Sequence, residues 1–411
     1  MPRTLLQKLE ILADAAKYDA SCVSSGGVKR NAGKGLGSVT GEGICHAFTP
    51  DGRCVSLLKI LLTNFCRYDC VYCVSRRSSN VPRARFTVEE VVALTLDLYR
   101  RNCIEGLFLS SGIARSADET MADLVRVARV LREEHDFHGY IHLKTIPGAG
   151  AELLAEAGRH ADRLSMNVEL PAEASLAELA PEKSIRDIKR GLARTRTNIE
   201  AAAEKSLTGR TKTQPYAPAG QSTQMVIGAD QSSDFEILQK SAELYGAYAL
   251  QRVYYSAFSP TGHVSQHLPP KPVPLMREHR LYQADWLLRF YGFSLAELES
   301  ALPAGMLDLS IDPKLAWALA HRGGFPVDVN KASREMLLRV PGLGTRAVDR
   351  IITARRHGAL RLADLGRLTS SVARIRPFIV TPDWQPSRLL DDGHLRRRLT
   401  RKPEQLALAL G

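Results

Sequence analysis

Cysteine is scarce in this sequence, and long apolar runs are missing from it. Seven cysteines among 411 residues make a poor disulfide framework, which argues against a small secreted scaffold held by cross-links. No segment approaches the roughly 20 uninterrupted apolar residues of a membrane span. The start, MPRTLLQKLEILADAAKYDA, is broken by charges and has no apolar run of signal-peptide length. No long internal repeat is present. Acidic residues are the minority, 44 against 56 basic ones, for a net charge of +12. The expectation is a soluble protein of a reducing cytoplasm, long enough for two or three domains. The charge excess is local: from Phe325 onward stand 17 Lys or Arg and 8 Asp or Glu, so +9 of the +12 lies in the last fifth. Such a field suits a polyanion such as nucleic acid, or else marks a solvated basic tail.

What is present falls into regions. Residues 1–55 open with a helical pattern and turn glycine- and serine-rich in SSGGVKRNAGKGLGSVTGEG, which reads as an extended loop or cap. Over 56–270, short apolar runs alternate with helical stretches. CVSLLKILLT, GLFLSS, YIHLKT, RLSMNVEL, TQMVIGA and LQRVYYSAF read as six strands. Strands separated by helices predict an α/β fold with a parallel sheet and right-handed crossovers, curled or closed as a partial barrel, with ligands at the C-terminal strand ends. The proline-rich SPTGHVSQHLPPKPVPL marks a boundary, and a helical connector is expected over 271–323. Short helices around PGLG occupy 324–385, and a basic tail containing HLRRRLTRK runs over 386–411.

The cysteines are not spread evenly. Cys66, Cys70 and Cys73 stand within the run NFCRYDCVYC, on a loop after the first strand. Thiolate clusters of this kind hold zinc or iron–sulfur centres. A structural zinc usually takes four ligands, commonly as two Cys-x2-Cys pairs. This triplet has no obvious fourth partner, and a four-iron cluster on three cysteines leaves one iron open. Of the others, Cys54 and Cys103 lie in or beside apolar segments and are expected to be buried thiols. Cys22, Cys45 and Cys54, with His46, are candidates for a second centre that no compact spacing supports.

The run CRYDCVYC resembles the motif of the radical S-adenosylmethionine (SAM) superfamily, in which an aromatic residue, here Tyr72, precedes the third cysteine. The resemblance covers roughly residues 56–270 and implies a partial (β/α)6 TIM-like barrel with a [4Fe-4S] cluster and SAM as cofactors. It further implies that SAM chelates the open iron and that the reduced cluster breaks the carbon–sulfur bond. The resulting 5′-deoxyadenosyl radical then takes a hydrogen atom from the substrate. Other elements match less closely. Ser110-Ser111-Gly112 stands where the family commonly has Gly-Gly-Glu, so Ser111 and Gly112 are candidates for SAM contact without the acidic side chain. Asn167 and Glu169, in MNVEL, lie where the family contacts the ribose and methionine end. Gly228, after Ile227, lies near the adenine position. Ordinary strand ends explain these last residues as well. No catalytic residue is fixed by the resemblance.

The stretch VNKASREMLLRVPGLGTRAVDRIITARR reads as a helix from about Ser333 to Val340, a turn at Pro341-Gly342-Leu343-Gly344, and a second helix from Thr345. Leu337, Leu338, Val340, Leu343, Ala347, Val348 and Ile351 supply the buried seam. Gly342 and Gly344 allow a tight turn, Thr345 is placed to cap, and the free amides of the second helix offer a phosphate site. Lys331, Arg346 and Arg350 add charge. This resembles the helix-hairpin-helix motif, which grips DNA backbone without reading sequence. A packing or protein-docking hairpin is the other reading. The order of parts along the chain is similar to that of the DNA modification or repair radical SAM proteins, a bacterial family associated with a uracil-DNA-glycosylase-like partner. The expected function is therefore SAM-dependent radical chemistry for modification or repair of DNA, served by a reductase or flavodoxin-type electron donor. The alternatives are a radical SAM enzyme on a small molecule, RNA or protein, and a DNA-binding iron–sulfur adaptor.

Overall fold

A computed structural model describes residues 3–17, 43–48, 54–207, 215–260, 265–386 and 395–400. Cys22 and most of the basic tail lie outside these residues. The chain divides into two compact units, one of Met1–Ser232 with Lys240–Val273, the other of Ser233–Gln239 with Pro274–Gly411.

The first unit opens with helix α1 (Leu5–Ala16) and strands β1 (Ile44–Phe48) and β2 (Cys54–Leu61). It continues through α2 (Val88–Arg100), β3 (Gly106–Ser110), α3 (Ala117–Arg129), β4 (Tyr140–Lys144), α4 (Ala151–His160) and β5 (Arg163–Ser165). α5 (Glu173–Leu179), α6 (Ile185–Leu207), β6 (Gln221–Ile227), α7 (Asp234–Tyr248) and β7 (Arg252–Ala257) complete the alternation, the start of α7 through Gln239 being counted with the second unit. The seven strands form one sheet in chain order, β1 to β7. All neighbours pair in parallel except β1 with β2, which are antiparallel. Near-continuous apolar runs make these strands: Leu57, Leu58, Ile60, Leu107 and Leu109 are each at most 1% exposed, as expected where helices cover a parallel sheet. The helices start on capping residues. Thr87 and Glu90 form a reciprocal box at α2, and Ser116 caps α3.

Three features depart from expectation. β1 lies in the segment assigned to a loop or cap. β5 stops at Ser165, and the chain rejoins β6 one residue out of register, where Glu169, with φ +73°, bridges to Met225. α5 was not anticipated. Two thiols also differ: Cys54 and Cys103 are exposed rather than buried, since Cys54 opens β2 at its outer end and Cys103 sits in the turn after α2. Cys45 is buried beside Val55, Leu57 and Phe108. It pairs with Leu57, whereas Cys54 pairs with Phe48 at the other end of the β1–β2 ladder. A second centre built on both therefore has no geometric support among the described residues.

The second unit holds α8 (Leu275–Phe290), α9 (Leu295–Glu299), α10 (Pro313–Ala320), β8 (Val327–Asp328), α11 (Arg334–Arg339) and α12 (Thr345–Ala354). α13 (Leu362–Leu368), α14 (Val372–Ile375), β9 (Ile379–Val380) and α15 (Leu395–Thr400) follow. β8 and β9 pair in parallel, and Phe293, Trp317, Phe325 and Phe378 meet edge to face inside it. α11 and α12 are joined by the glycine turn. All seven residues expected in their seam are buried. Ser333 caps α11, but the cap of α12 is Gly344, and Thr345 is the first helical residue rather than the cap. Among the described residues no helix is long and apolar enough to cross a membrane.

Candidate active site

The cysteine loop leaves the end of β2 and is tied to its neighbours by backbone hydrogen bonds. Leu62 N donates to Ser110 O (2.8 Å), Gly112 N to Thr63 O (2.7 Å) and Arg67 N to Ile113 O (2.8 Å). The pairing of β2 with β3 thus continues past both strand ends into the loop. Gly112 permits this approach: a Cβ there would stand 2.5 Å from the Phe65 carbonyl oxygen. Arg83 closes the loop from below. Its guanidinium donates to the carbonyls of Asn64, Ser75, Arg76 and Ser79, a use that suits a planar fork of five donors. On the other side, Val71 N donates to Leu179 O (2.8 Å) and Asp69 N to Glu182 Oε1 (3.1 Å), so the end of α5 and the segment after it brace the loop.

Cys66, Cys70 and Cys73 line one cavity, together with residues from the C-terminal ends of β2 to β7. Burial pushes the Cys70 thiol up to about 12 and the Cys73 thiol up to about 11. Both therefore hold their protons at neutral pH unless a metal displaces them. Among the described residues no three His, Cys, Asp or Glu side chains meet closely enough to hold a single metal ion. A cubane cluster takes each thiolate on a different iron, so its ligands need not converge on one point. The same cavity contains a buried ion pair, Lys183 Nζ to Glu169 Oε1 at 2.5 Å, with side chains 16% and 11% exposed. Burial alone would lower the Lys183 ammonium, but Glu169, Tyr72 and Cys70 outweigh it and hold it well above its ordinary value. The Tyr72 hydroxyl is buried without a hydrogen-bond partner. Burial first, and Glu169 second, push it well above the usual phenol range.

Of the residues expected to meet SAM, Tyr72, Ser111, Gly112, Asn167 and Glu169 line this cavity, and Gly228 does not. Gly228 follows β6 with φ +75°. The residues present fit the group the sequence calls for. Three thiols on one loop face a wall carrying an orphaned hydroxyl, an ammonium, a carboxylate and the polar tips of Ser111, Asn167 and Gln224. Residues 60–209 match the radical SAM superfamily. The chain carries a radical SAM domain. Such domains are enzyme domains whose cofactors are a [4Fe-4S] cluster and SAM. Cys66, Cys70 and Cys73 would hold the cluster, and Tyr72, Ser111, Asn167 and Glu169 would meet SAM. Bound there, the pair supplies reductive carbon–sulfur cleavage. The chain's own part is to enclose and orient that chemistry. No curated protein matches the chain. Among solved structures it is similar to the [FeFe]-hydrogenase maturase HydG, with 14% identity over 56% of this chain and 48% of that one, and a TM-score of 0.39. Methylornithine synthase PylB gives 15% over 56% and 61%, TM-score 0.43. The radical S-adenosylmethionine methyltransferase TsrM from Kitasatospora setae gives 13% over 48% and 35%, TM-score 0.34. The chain spans less than two thirds of each of them. Lys183, Glu182 and Arg83 belong to this radical SAM domain's site region without any motif: PEKS reads as a charged turn, and Arg83 as one of many arginines.

The hairpin of the second unit is a separate candidate. Arg346 and Arg350 are exposed on α12. Lys331 is 86% exposed and 3.7 Å from Asp328. Gly342 has φ +92°, and a Cβ there would meet Arg374, Ile375 and Ser371 at 3.1–3.2 Å. Its glycine is therefore explained by close packing against α14. Gly344 has no such neighbour: a Cβ would meet only the Tyr291 hydroxyl, at 3.6 Å. Behind the turn, the buried Lys314 ammonium donates to the carbonyls of Leu338 (2.9 Å) and Leu343 (2.5 Å) and lies 4.6 Å from the Tyr291 ring centre. Burial pushes it down to about 7.

Proposed function

We propose that this chain is a radical SAM enzyme whose substrate is a nucleic acid, DNA in the first instance, and that it abstracts hydrogen from a base or sugar for modification or repair. What carries the chemical half is the convergence of three thiols, Tyr72 and the Lys183–Glu169 pair in one cavity at the strand ends. What supports the nucleic-acid half is the α11–α12 hairpin, with Gly344, Thr345, Arg346 and Arg350 at the start of α12 and Lys331 nearby, in the most basic stretch of the chain. The reading calls for a reductase or flavodoxin-type electron donor. A uracil-DNA-glycosylase-like protein is the partner to try first.

The test is anaerobic reconstitution with iron and sulfide, followed by 5′-deoxyadenosine formation with and without DNA. Stimulation by DNA, with label passing from DNA into 5′-deoxyadenosine, supports the proposal. Formation indifferent to DNA and RNA sinks its second half. Hairpin variants separate the halves. Arg346→Ala should weaken binding to all DNA sequences alike and flatten its salt dependence, since phosphate contacts carry no base information. Gly344→Val is the cleaner glycine variant, because Gly342 is already needed for internal packing. It should weaken DNA binding and leave SAM cleavage without substrate intact.

One observation favours a second reading. Gly342 is committed to α14, and the backbone amide of Thr345 neighbours the Tyr291 hydroxyl, as a hairpin used for assembly would be. The enzyme would then act on a small molecule, RNA or protein. Superimposable DNA-binding curves for the wild type and a folded Gly344→Val variant would select this reading.

A further inference from the structure

Two large aromatic side chains lie on the surface of the second unit. Trp286 and Phe290 are 49% and 51% exposed. They stand one helical turn apart on α8 and meet edge to face, with ring centres 6.1 Å apart at 86°. They belong to a continuous outward face, because Met276, His279, Gln283, Trp286 and Phe290 follow alternating three- and four-residue steps and are all exposed. An aromatic pair left in water on a regular face marks a contact surface rather than scatter.

The charge of that face selects the contact. The acids of α8, Glu278 and Asp285, are buried at 7% and 0% exposure. Of its arginines, Arg277 turns inward to the buried Asp234 (2.7 Å), while Arg280 and Arg289 reach the surface in part. Arg289 spans both settings: it meets Asp285 at 3.3 Å and lies 4.8 Å from the Phe290 ring centre. The helix therefore shows aromatic faces outward, keeps its carboxylates inside, and places Arg280, bonded to the neutral Gln283 side chain, beside that face. A polyanion with flat apolar rings complements both features, whereas an apolar protein helix would match only the first.

The position is also informative. Tyr291, the residue after Phe290, ends the helix. Its hydroxyl neighbours the Thr345 amide and sits 3.6 Å from where a Cβ on Gly344 would be. The C-terminal end of α8 thus adjoins the first turn of α12, the candidate phosphate site.

We infer that Trp286 and Phe290 form a stacking platform for an unpaired nucleobase whose strand is held by its phosphate at the start of α12. The inference rests on the nucleic-acid reading above and narrows it: bases inside a duplex are already stacked, so the platform favours single-stranded or locally opened substrate.

The test titrates the full chain with an oligothymidylate of about 15 nucleotides and with a duplex of the same length, at several salt concentrations. Wild type is compared with Trp286→Leu and with the Trp286→Leu, Phe290→Leu double variant. Leucine keeps the exposed positions apolar and helical, and circular dichroism checks the fold. Single-strand affinity should fall about 5- to 150-fold per ring removed. Duplex affinity and its salt slope should stay unchanged, because the rings carry no charge. If wild type and double variant bind the single strand equally while duplex binding persists, the platform is wrong and the nucleic-acid reading stands. If wild type binds neither probe, both fall. If the double variant changes the oligomeric state in sedimentation with nucleic-acid affinity unaltered, the face is a contact between copies of the chain, and the inference is overturned.

Discussion

A methyl group on Gly112 would sit 2.5 Å from the Phe65 carbonyl oxygen, which belongs to backbone and cannot swing aside. Gly112→Ala should therefore push the cysteine loop off β3. The expected result is a folded protein that takes up much less iron, read as iron per chain and visible absorbance after anaerobic reconstitution. Full iron content would show that the loop tolerates the shift. Lys183 makes a different forecast. Removing it as Lys183→Met leaves the Glu169 carboxyl mostly buried, at φ +73° and without its ion-pair partner. The iron-free protein should lose about 3 kcal/mol in urea unfolding, and adding Glu169→Gln should return most of it. If Lys183→Met is neutral, the pair is not a structural unit of the cavity wall.

The cysteine loop as an element depends on Arg83, whose guanidinium collects carbonyls from Asn64 to Ser79. Arg83→Lys keeps the charge and loses the fork. It should behave nearly like Arg83→Ala, with faster proteolysis of the loop in the iron-free protein, and a lysine that fully rescues would mean that charge alone matters. That dependence was invisible in the sequence, where Arg83 has no periodicity, motif or spacing to mark it. The strands were legible because two-sided burial makes continuous apolar runs, as in SLLKIL. The hairpin seam was legible because Leu337 to Ile351 keeps helical spacing across the glycine turn. β1 was hidden behind the glycine-rich segment. The end of β5 was not visible because Met166 to Leu170 keeps the strand-like alternation of apolar and polar residues through the irregular stretch, before Glu169 bridges to Met225. The cysteine triplet was readable as local spacing. Lys183 and Glu182 were not, because they reach the site only through tertiary folding. Cys54 and Cys103 show the reverse error: apolar neighbours in sequence did not bury them.

At the scale of the molecule, the hairpin unit should give the chain a pH signature. Lys314, 7% exposed, is held down to about 7 from 10.5. Between those values the unfolded chain binds more protons than the folded one, so stability should rise as pH climbs from about 7 toward 10. Below about 7 both states are protonated and this dependence vanishes. The gain is on the order of 3 to 5 kcal/mol at most. In Lys314→Met the rise should disappear, measured as the unfolding midpoint against pH. A rise that survives would belong to another group.

The strands of the first unit are ordered in space as they are in the chain, so a ribosome delivers them in the sequence in which the sheet can accept them. The three thiols emerge early and their brace emerges late, since Asp69 is 113 residues from Glu182. At about 5–20 residues per second, the cysteines precede the last support by about 6 to 23 s. A chain stalled within that stretch would present the thiol triplet to oxidants without the brace that closes its loop.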